Sequence, residues 1–407
     1  MYRTAFAAFS LSLFLAAPQA GAGEAARWNR VATDAAAAEQ TDPLTESRIF
    51  AIVHASIHDA LNAIDRRYES YQARVAAAPG ASPEAAAAAA AHASLVALIP
   101  ARKSAFDAAL AETLAKVKDK RAAVAGQQAG RQAAAILLAS RRDDGASRPV
   151  ARAAGRKIGE YRPTPPDFTR AAFAQWGEIR PFVLASASQF RPAPPLDPKS
   201  ERARVEIDEI RAIGAKTSAL RTAEQSEISR YWYENSPQGW NRIAREVALA
   251  RNLDEWESAR LLALVNLAMA DGFIGGFEAK YHYDYWRPAT AIREIGGKSG
   301  DASWLSDLDT PPVPDYPSTH TVLGAAAAAT LARFFGTDMV SFSMTSGAPY
   351  AGITRRFWSF SEAAHENGAS RVLAGIHFAS AVQAGYEQGE RIGAWTYERA
   401  LRPVRPD

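Results

Sequence analysis

The chain has 407 residues, no cysteine and a formal net charge of +3. Without cysteine, disulfides and thiolate metal sites are excluded, so stability must come from a hydrophobic core, which this length can bury in one large or two smaller domains. Since the net charge is small and no block of Lys or Arg stands apart from acidic neighbours, we expect neither nucleic acid nor a membrane surface as the partner.

The first residues have the pattern of an export signal. Arg3 precedes the apolar run Ala5–Ala17, and small residues at 20–22 form a cleavage site. The run is too short to cross a membrane, and no later stretch is expected to be apolar for long enough to do so. We therefore predict a signal peptide over residues 1–22 and an exported protein, periplasmic or secreted, whose mature chain has no membrane span.

Helical periodicity dominates the next region. Thr45–Arg67 carries apolar residues that are mostly three and four apart, which is typical of an amphipathic helix. Alanine-rich helices follow, and Ser82 is expected to cap the first of them. Over residues 23–140 we predict an N-terminal helical region whose further helices span Ser82–Leu98, Lys103–Val117 and Arg121–Ala139.

The stretch Arg141–Pro198 is rich in proline and shows no clear period. We interpret residues 141–200 as a long irregular connection on the surface of the helices that can cover the mouth of a site. Helical patterns then resume and strand signals are almost missing, so the predicted fold class is all-α, a helical bundle. In the remaining region, 201–407, helices are predicted over Ser200–Gly214, Thr222–Tyr233, Trp240–Asn252 and Leu253–Tyr285.

Two cations lie near the end of the last of these helices. Lys280 and Arg287 are seven residues apart, nearly two helical turns, so they are predicted to leave one face of a helix that Pro288 ends. A guanidinium and an ammonium on one face can hold a small oxyanion from two sides. The alternative is a solvated basic face.

The stretch Tyr316–His320 is predicted to start a helix. Pro317 cannot lie inside a helix, and Ser318 or Thr319 can cap one that runs over Thr321–Phe335 and stops at the glycine that follows. Such a start presents free backbone N–H groups and a positive dipole end to an anion. The alternative is an ordinary capped helix with an exposed histidine.

A third stretch contains Arg371 and His377 near the end of the chain. A histidine in an apolar segment is more often a core residue than a nucleophile or ligand. Gly375, two residues earlier, permits close approach of the backbone.

In this order, the motifs Lys-x6-Arg-Pro, Pro-Ser-x-His and Ser-Arg-x5-His resemble the signature of the vanadium haloperoxidase and type 2 phosphatidic acid phosphatase superfamily. The motif region covers residues 271–382. The segment Pro311–Tyr316 and the segment Val53–Ala60 in the N-terminal half are similar to the bacterial haloperoxidase-like branch. The resemblance implies helical bundles, with the catalytic bundle in residues 201–407.

The resemblance also assigns roles by motif position. The equatorial oxygens of vanadate or phosphate would be held by three cations, a hydroxyl and a backbone N–H, those of Lys280, Arg287, Arg371, Ser318 and Thr319.

The two histidines would take the apical positions. His377 would bond to the central atom, which is vanadium in the peroxidases and phosphorus in the phosphatases. His320 would act as the acid–base group on the opposite side. A histidine with a pKa near neutrality can deprotonate peroxide or protonate a leaving oxygen.

The implied function is a vanadate-dependent haloperoxidase-like oxidoreductase that oxidises halide with hydrogen peroxide. The first alternative is an acid phosphatase that hydrolyses phosphomonoesters through phospho-His377 and needs no cofactor. The second is a non-catalytic protein that binds phosphate-like anions. All three have small-molecule partners, and assembly as a homo-oligomer stays open.

The sequence departs from the superfamily pattern in three places. Thr319 replaces the usual glycine, so the backbone is expected to approach the anion less closely. Ala381 replaces an aspartate that orients the second histidine, and the sequence offers Ser380 or Glu366 as substitutes. Val313 stands where characterised haloperoxidases tend to have Phe or His near the cofactor.

Four other residues are weaker candidates. His54 and His58 are four apart on one helix face and could bind metal, but packing or capping is the favoured interpretation. Asp271 is expected either to buffer the cations or orient His320, or to be a surface charge. Phe277 is a candidate wall of the pocket.

Overall fold

The computed structural model describes residues 23–148, 150–294 and 301–404, so the predicted signal peptide lies outside the described residues. The all-α prediction is confirmed, because these ranges contain thirteen α helices and a single pair of short strands. The helices are α1 Glu24–Ala38, α2 Pro43–Asn62, α3 Pro83–Leu98, α4 Lys103–Lys116, α5 Lys120–Ser140, α6 Glu201–Ile213, α7 Ala223–Tyr231, α8 Ser236–Ala250, α9 Glu255–Tyr283, α10 Pro288–Glu294, α11 Thr319–Phe335, α12 Phe360–Leu373 and α13 Ala379–Arg399.

The long helix α9 is the centre of the core. Helices α2, α8, α11 and α13 all pack against it, and 94% of its most apolar window is buried inside the protein. Its length and hydropathy would suffice to cross a membrane, so the expectation that no later stretch is apolar for long enough is wrong. A helix surrounded by other helices is apolar on every side, which explains that composition.

The N-terminal helices pack closely through small residues. Gly126 and Gly130 on α5 lie directly against the backbone of Ser82 and Ala86, where a Cβ would collide with a carbonyl oxygen. The hydroxyl of Ser82 accepts a hydrogen bond from the N–H of Ala85 at 3.2 Å, which confirms the predicted cap of α3. The Ala-rich composition therefore serves close helix contact as well as helix propensity.

The proline-rich connection is irregular as predicted, apart from a 3₁₀ turn at Trp176–Glu178. Asp271 on α9 holds it in place, because its carboxylate accepts hydrogen bonds from the backbone N–H groups of Phe182, Val183 and Leu184 at 2.6–2.9 Å. Asp271 therefore neither orients His320 nor lies on the surface, and these two expectations are wrong. It is also not among the charges that shift the pKa of Lys280, Arg287 or Arg371, so the expectation that it buffers these cations gains no support.

Helix α11 starts and stops where its sequence predicts. Ser318 is the N-cap residue, and the C-cap Gly336 has a φ of 69°, in the left-handed region that favours glycine. Helix α13 packs closely along α11 through glycines at every fourth position, Gly385, Gly389 and Gly393.

Two local predictions are wrong. Helix α9 ends at Tyr283, Asp284 adopts a φ of 47°, and Pro288 begins α10 instead of ending a helix. Lys280 and Arg287 therefore do not share a helix face. The short antiparallel strands β1 Phe342–Thr345 and β2 Thr354–Phe357 were not predicted, because four residues carry too little periodicity.

Candidate active site

A cavity of about 300 Å³ lies where the three sequence motifs meet. Arg287, His320, Arg371 and His377 line it, although they come from separate parts of the chain. Most of the other lining residues are apolar, among them Leu44, Phe173, Phe273, Phe277 and Val313. The site is thus a charged patch inside an apolar cavity, and the candidate wall residue Phe277 does line it.

Lys280 lies behind the cavity and does not line it. Its Nζ donates hydrogen bonds to the carbonyl oxygens of Pro314 at 2.7 Å and Asp315 at 2.9 Å, and the side chain is fully buried. Burial lowers the pKa of Lys280 well below its usual value, and Arg287 lowers it further. An ammonium has three N–H donors, so one remains after these two bonds.

Backbone carbonyls hold the guanidinium of Arg287. Its Nε donates to Val313 and its Nη1 to Ile376, both at 2.7 Å. The same Nη1 lies 3.1 Å from Nε2 of His377. The cation is therefore fixed beside that histidine.

Arg371 keeps spare donors. Its Nη1 donates to the carbonyl of Trp232 at 3.0 Å, whereas its Nε is buried with no hydrogen-bond partner among the described residues. Burial lowers the pKa of Arg371 to about 10, so the group stays protonated at neutral pH.

The start of α11 supplies further donors. The N–H groups of Thr319 and His320 precede the first hydrogen bond of the helix, from the N–H of Val322 to the carbonyl of Ser318 at 3.0 Å. The hydroxyl of Ser318 accepts a hydrogen bond from Thr321 at 3.0 Å and makes no capping bond. Ser318 is fully buried and, unlike Thr319, does not line the cavity.

His320 is half-buried and borders the cavity, but its Nε2 is buried and has no hydrogen-bond partner in the described part of the chain. Burial, followed by Arg371, lowers the pKa of His320 well below its usual value, although the carbonyls of Trp232 and Glu234 oppose this. The imidazole is thus neutral at pH 7, with a pKa below the near-neutral value that the sequence predicts.

His377 lies between a cation and a carboxylate. Its Nδ1 is 2.9 Å from Oδ1 of Asp315, and both side chains are at most 5% exposed. Burial and then Arg287 and Lys280 lower the pKa of His377 well below its usual value. Burial raises the pKa of Asp315 to about 7, and the same two cations oppose that rise.

Known proteins with similar sequences and folds point to one family. Residues 260–406 match the sequence model of the VCPO second helical-bundle domain. Vanadium chloroperoxidase from Curvularia inaequalis is 27% identical over 226 residues, which are 40% of this chain and 37% of that protein. The crystal structure of a bacterial vanadium-dependent iodoperoxidase is 27% identical with a TM-score of 0.84 and covers 94% of this chain and 98% of its own. These matches agree with the superfamily that the three sequence motifs resemble, the vanadium haloperoxidases.

A holo-type bacterial vanadium-dependent chloroperoxidase shares the haloperoxidase fold. Its TM-score is 0.72 at 19% identity, over 88% of this chain and 92% of that one. The fungal match spans little more than a third of the fungal protein's length. All seven predicted site residues lie inside the matched range 260–406, but their individual roles stay predictions.

The donor set fits the oxyanion that this superfamily implies. The site contains three buried cations and one buried carboxylate, and the Nε of Arg371, the Nε2 of His320 and both oxygens of Asp315 have no hydrogen-bond partner among the described residues. Several buried charges of one sign are costly unless a ligand of the opposite charge joins them. Vanadate or phosphate would supply that charge and accept the unused N–H bonds.

The unusual Thr319 is accommodated by a glycine on α9. A Cβ built on Gly276 would lie 2.7 Å from the methyl carbon of Thr319, closer than side chains tolerate. The absent side chain at Gly276 therefore makes room for the residue that replaces the usual glycine.

Asp315 is the site residue that the sequence analysis missed. The two substitutes considered for the absent aspartate bond elsewhere, Ser380 to Glu206 and Glu366 to Arg355, both at 2.7 Å, and that prediction is wrong. One signal was available, because Asp315 is a lone carboxylate in an apolar, proline-rich segment just before His320.

The other histidines pack as expected. Nε2 of His58 lies 2.9 Å from Asn62 and 3.2 Å from the carbonyl of Glu69, and Nε2 of His54 lies 2.6 Å from Asn29. No group of three or more His, Asp or Glu side chains is arranged for a metal ion in the part of the chain that the structure describes. The packing interpretation of His54 and His58 is therefore favoured over metal binding.

Proposed function

We propose that the protein is an exported vanadate-dependent haloperoxidase that oxidises halide with hydrogen peroxide to hypohalous acid. The observation that carries this proposal is the convergence of Arg287, His320, Arg371 and His377 on one cavity. Similarity to the iodoperoxidase over 94% of the chain favours a peroxidase over a phosphatase. Export is proposed from the pattern of residues 1–22 alone.

The residues at the cavity would have different roles in binding the oxyanion. Arg287, Arg371 and the start of α11 would neutralise and orient the oxyanion, with Lys280 adding charge from behind. When bound, vanadate supplies an electron-poor centre that activates hydrogen peroxide toward halide.

The histidines handle the proton and the central atom. Nε2 of His320, neutral and without a partner among the described residues, would accept a proton from hydrogen peroxide. Nε2 of His377 would face the central atom. The apolar walls limit the water around these charges and so strengthen their interactions.

The test compares the two chemistries on one preparation. Mature protein purified without phosphate is treated with chelator, divided, and reloaded with orthovanadate or left bare. We expect vanadate-dependent halogenation of a phenolic dye with peroxide and at least one of iodide, bromide and chloride. A preparation that oxidises none of them would overturn the proposal.

Parallel assays identify the alternatives. Hydrolysis of p-nitrophenyl phosphate that vanadate inhibits would assign the phosphatase. Phosphate binding without either activity would assign the anion-binding protein. His377→Ala is the control, because turnover that survives this substitution does not come from the proposed site.

A further inference from the structure

The carboxylate beside His377 reaches it from an unexpected part of the chain. The superfamily aspartate would stand at position 381 on α13, where this chain has a buried alanine. Asp315 instead approaches from the loop before α11, with its Oδ1 2.9 Å from Nδ1 of His377. The two atoms are close but are not aligned as a hydrogen bond, because both oxygens of this carboxylate are buried without a hydrogen-bond partner among the described residues. Its side chain is 0% exposed.

The neighbours of His377 favour one tautomer of the ring. A guanidinium can only donate, but Nη1 of Arg287 lies 3.1 Å from Nε2 and 3.4 Å from Nδ1, so it does not distinguish the two ring nitrogens. The carboxylate of Asp315 does distinguish them, because its ionised form can only accept and its Oδ1 lies beside Nδ1. This contact favours the proton on Nδ1, which leaves the lone pair on Nε2.

The loop that carries Asp315 is held by its backbone. The carbonyls of Pro314 and Asp315 accept both hydrogen bonds from Lys280, and the N–H of Asp315 donates to Tyr285 at 2.8 Å. Beyond His377, the nearest cation to its carboxylate is Arg287, with Nη1 at 3.8 Å. The backbone that carries the carboxylate is therefore held in place on both sides.

We infer that Asp315 is the positioning residue of His377 and performs the role that the superfamily gives to an aspartate at position 381. The expected effect of Asp315 on vanadate binding rests on the proposed function, whereas its effect on the tautomer of His377 does not. Without Asp315, the ring populates the tautomer with a proton on Nε2, which cannot bond to the central atom. Loss of a carboxylate that orients a ligand histidine weakens binding about 10- to 100-fold.

The first experiment measures the tautomer without vanadate or turnover. The chain has seven histidines, so NMR of ¹⁵N-histidine-labelled protein gives few signals. The signal that disappears in His377→Gln is that of His377. Full-length mature protein should show His377 protonated on Nδ1. Asp315→Ala should shift the ring toward protonation on Nε2, and Asp315→Asn, whose amide oxygen still accepts, should shift it less.

The second experiment moves the carboxylate back to α13. Asp315→Ala should raise the vanadate Kd about 10- to 100-fold, and Asp315→Ala with Ala381→Asp should recover part of that loss. If Asp315 only filled space, a carboxylate introduced on another helix would not restore vanadate binding. Ala381→Asp alone is the matched control, and circular dichroism checks folding.

Two results would overturn the inference. One is protonation of His377 on Nε2 in the unsubstituted protein. The other is an unchanged tautomer and vanadate Kd in Asp315→Ala, or in Asp315→Asn if the alanine variant does not fold. A tautomer shift in a protein without peroxidase activity would refute the proposed function but support this inference.

Discussion

The N-terminal helices and the later helices that surround the cavity both bury histidines and carboxylates, but only the second group places its histidines at a shared cavity. In the N-terminal region, Asp59 accepts hydrogen bonds from three backbone N–H groups at 2.6–2.9 Å, and Nε2 of His58 lies within 3.2 Å of two polar groups. In the bundle, Nε2 of His320 and Nε of Arg371 have no partner among the described residues. Nδ1 of His54 and Oε2 of Glu46 in the N-terminal helices also lack partners in the described ranges, so neither burial nor an unpartnered atom alone marks a functional group. His320 and Arg371 differ in that they also line a cavity.

The largest expected effect is on activity, and it distinguishes the site histidine His320 from the packed histidine His58. His320→Ala should lower kcat/KM by about 10²- to 10⁴-fold, the usual contribution of a general acid–base group, while vanadate binding stays largely intact. His58→Ala should leave kcat/KM nearly unchanged but lower the free energy of unfolding by about 1–3 kcal/mol.

Steady-state kinetics and urea unfolding on both variants check this contrast. Equal losses of activity in the two variants would contradict it, as would loss of vanadate binding in His320→Ala.

A second prediction concerns Glu46 on α2. Unlike Asp59, this buried carboxylate does not accept hydrogen bonds from three backbone N–H groups. Burial raises the pKa of Glu46 to about 7, and hydrogen bonds from Gln238 and Asn235 only partly oppose this. Because the folded state favours the protonated form of Glu46, protonation of this carboxyl stabilises the folded protein. The stabilisation is fully present below pH 4.5 and is lost as the pH rises through 7. Glu46→Gln should therefore be more stable than the natural protein by on the order of 1–3 kcal/mol at pH 8, with little difference at pH 4.5.

Urea unfolding at both values of pH measures that difference. Asp59→Asn is the comparison. Burial also raises the pKa of Asp59, to about 6, but its carboxylate accepts three N–H bonds that an amide cannot keep, so this change should destabilise the protein at pH 8. A stability difference for Glu46→Gln that does not change with pH would contradict the assignment.

The smallest expected effect concerns the contact between Gly276 and Thr319. Gly276→Ala should lower the free energy of unfolding by about 1–3 kcal/mol through overpacking, despite the better helix propensity of alanine. In the Thr319→Gly background the same change should cost much less, with a coupling of about 1 kcal/mol or more in a double-mutant cycle. Additive effects would show that the two residues do not compete for space.

Much of the helical architecture could be predicted because helix signals are local. Proline, a serine at the N-cap position and a following glycine predicted α11, although that serine makes no capping bond, and Ser82 predicted the start of α3. The two short strands and the chain reversal at Asp284 could not be predicted, since strand pairing and a left-handed residue outside glycine depend on distant contacts.

By itself, the sequence determined the fold class, the irregular connection and the three motifs that converge on one cavity, because the spacing of residues along the chain carries these features. Only the tertiary structure decided which side chains meet. It placed Asp271 under the connection, directed Lys280 to the carbonyls of a loop, and brought Asp315 to His377. Such pairings depend on how α9, α11 and α13 pack, and no local pattern along the chain encodes that packing.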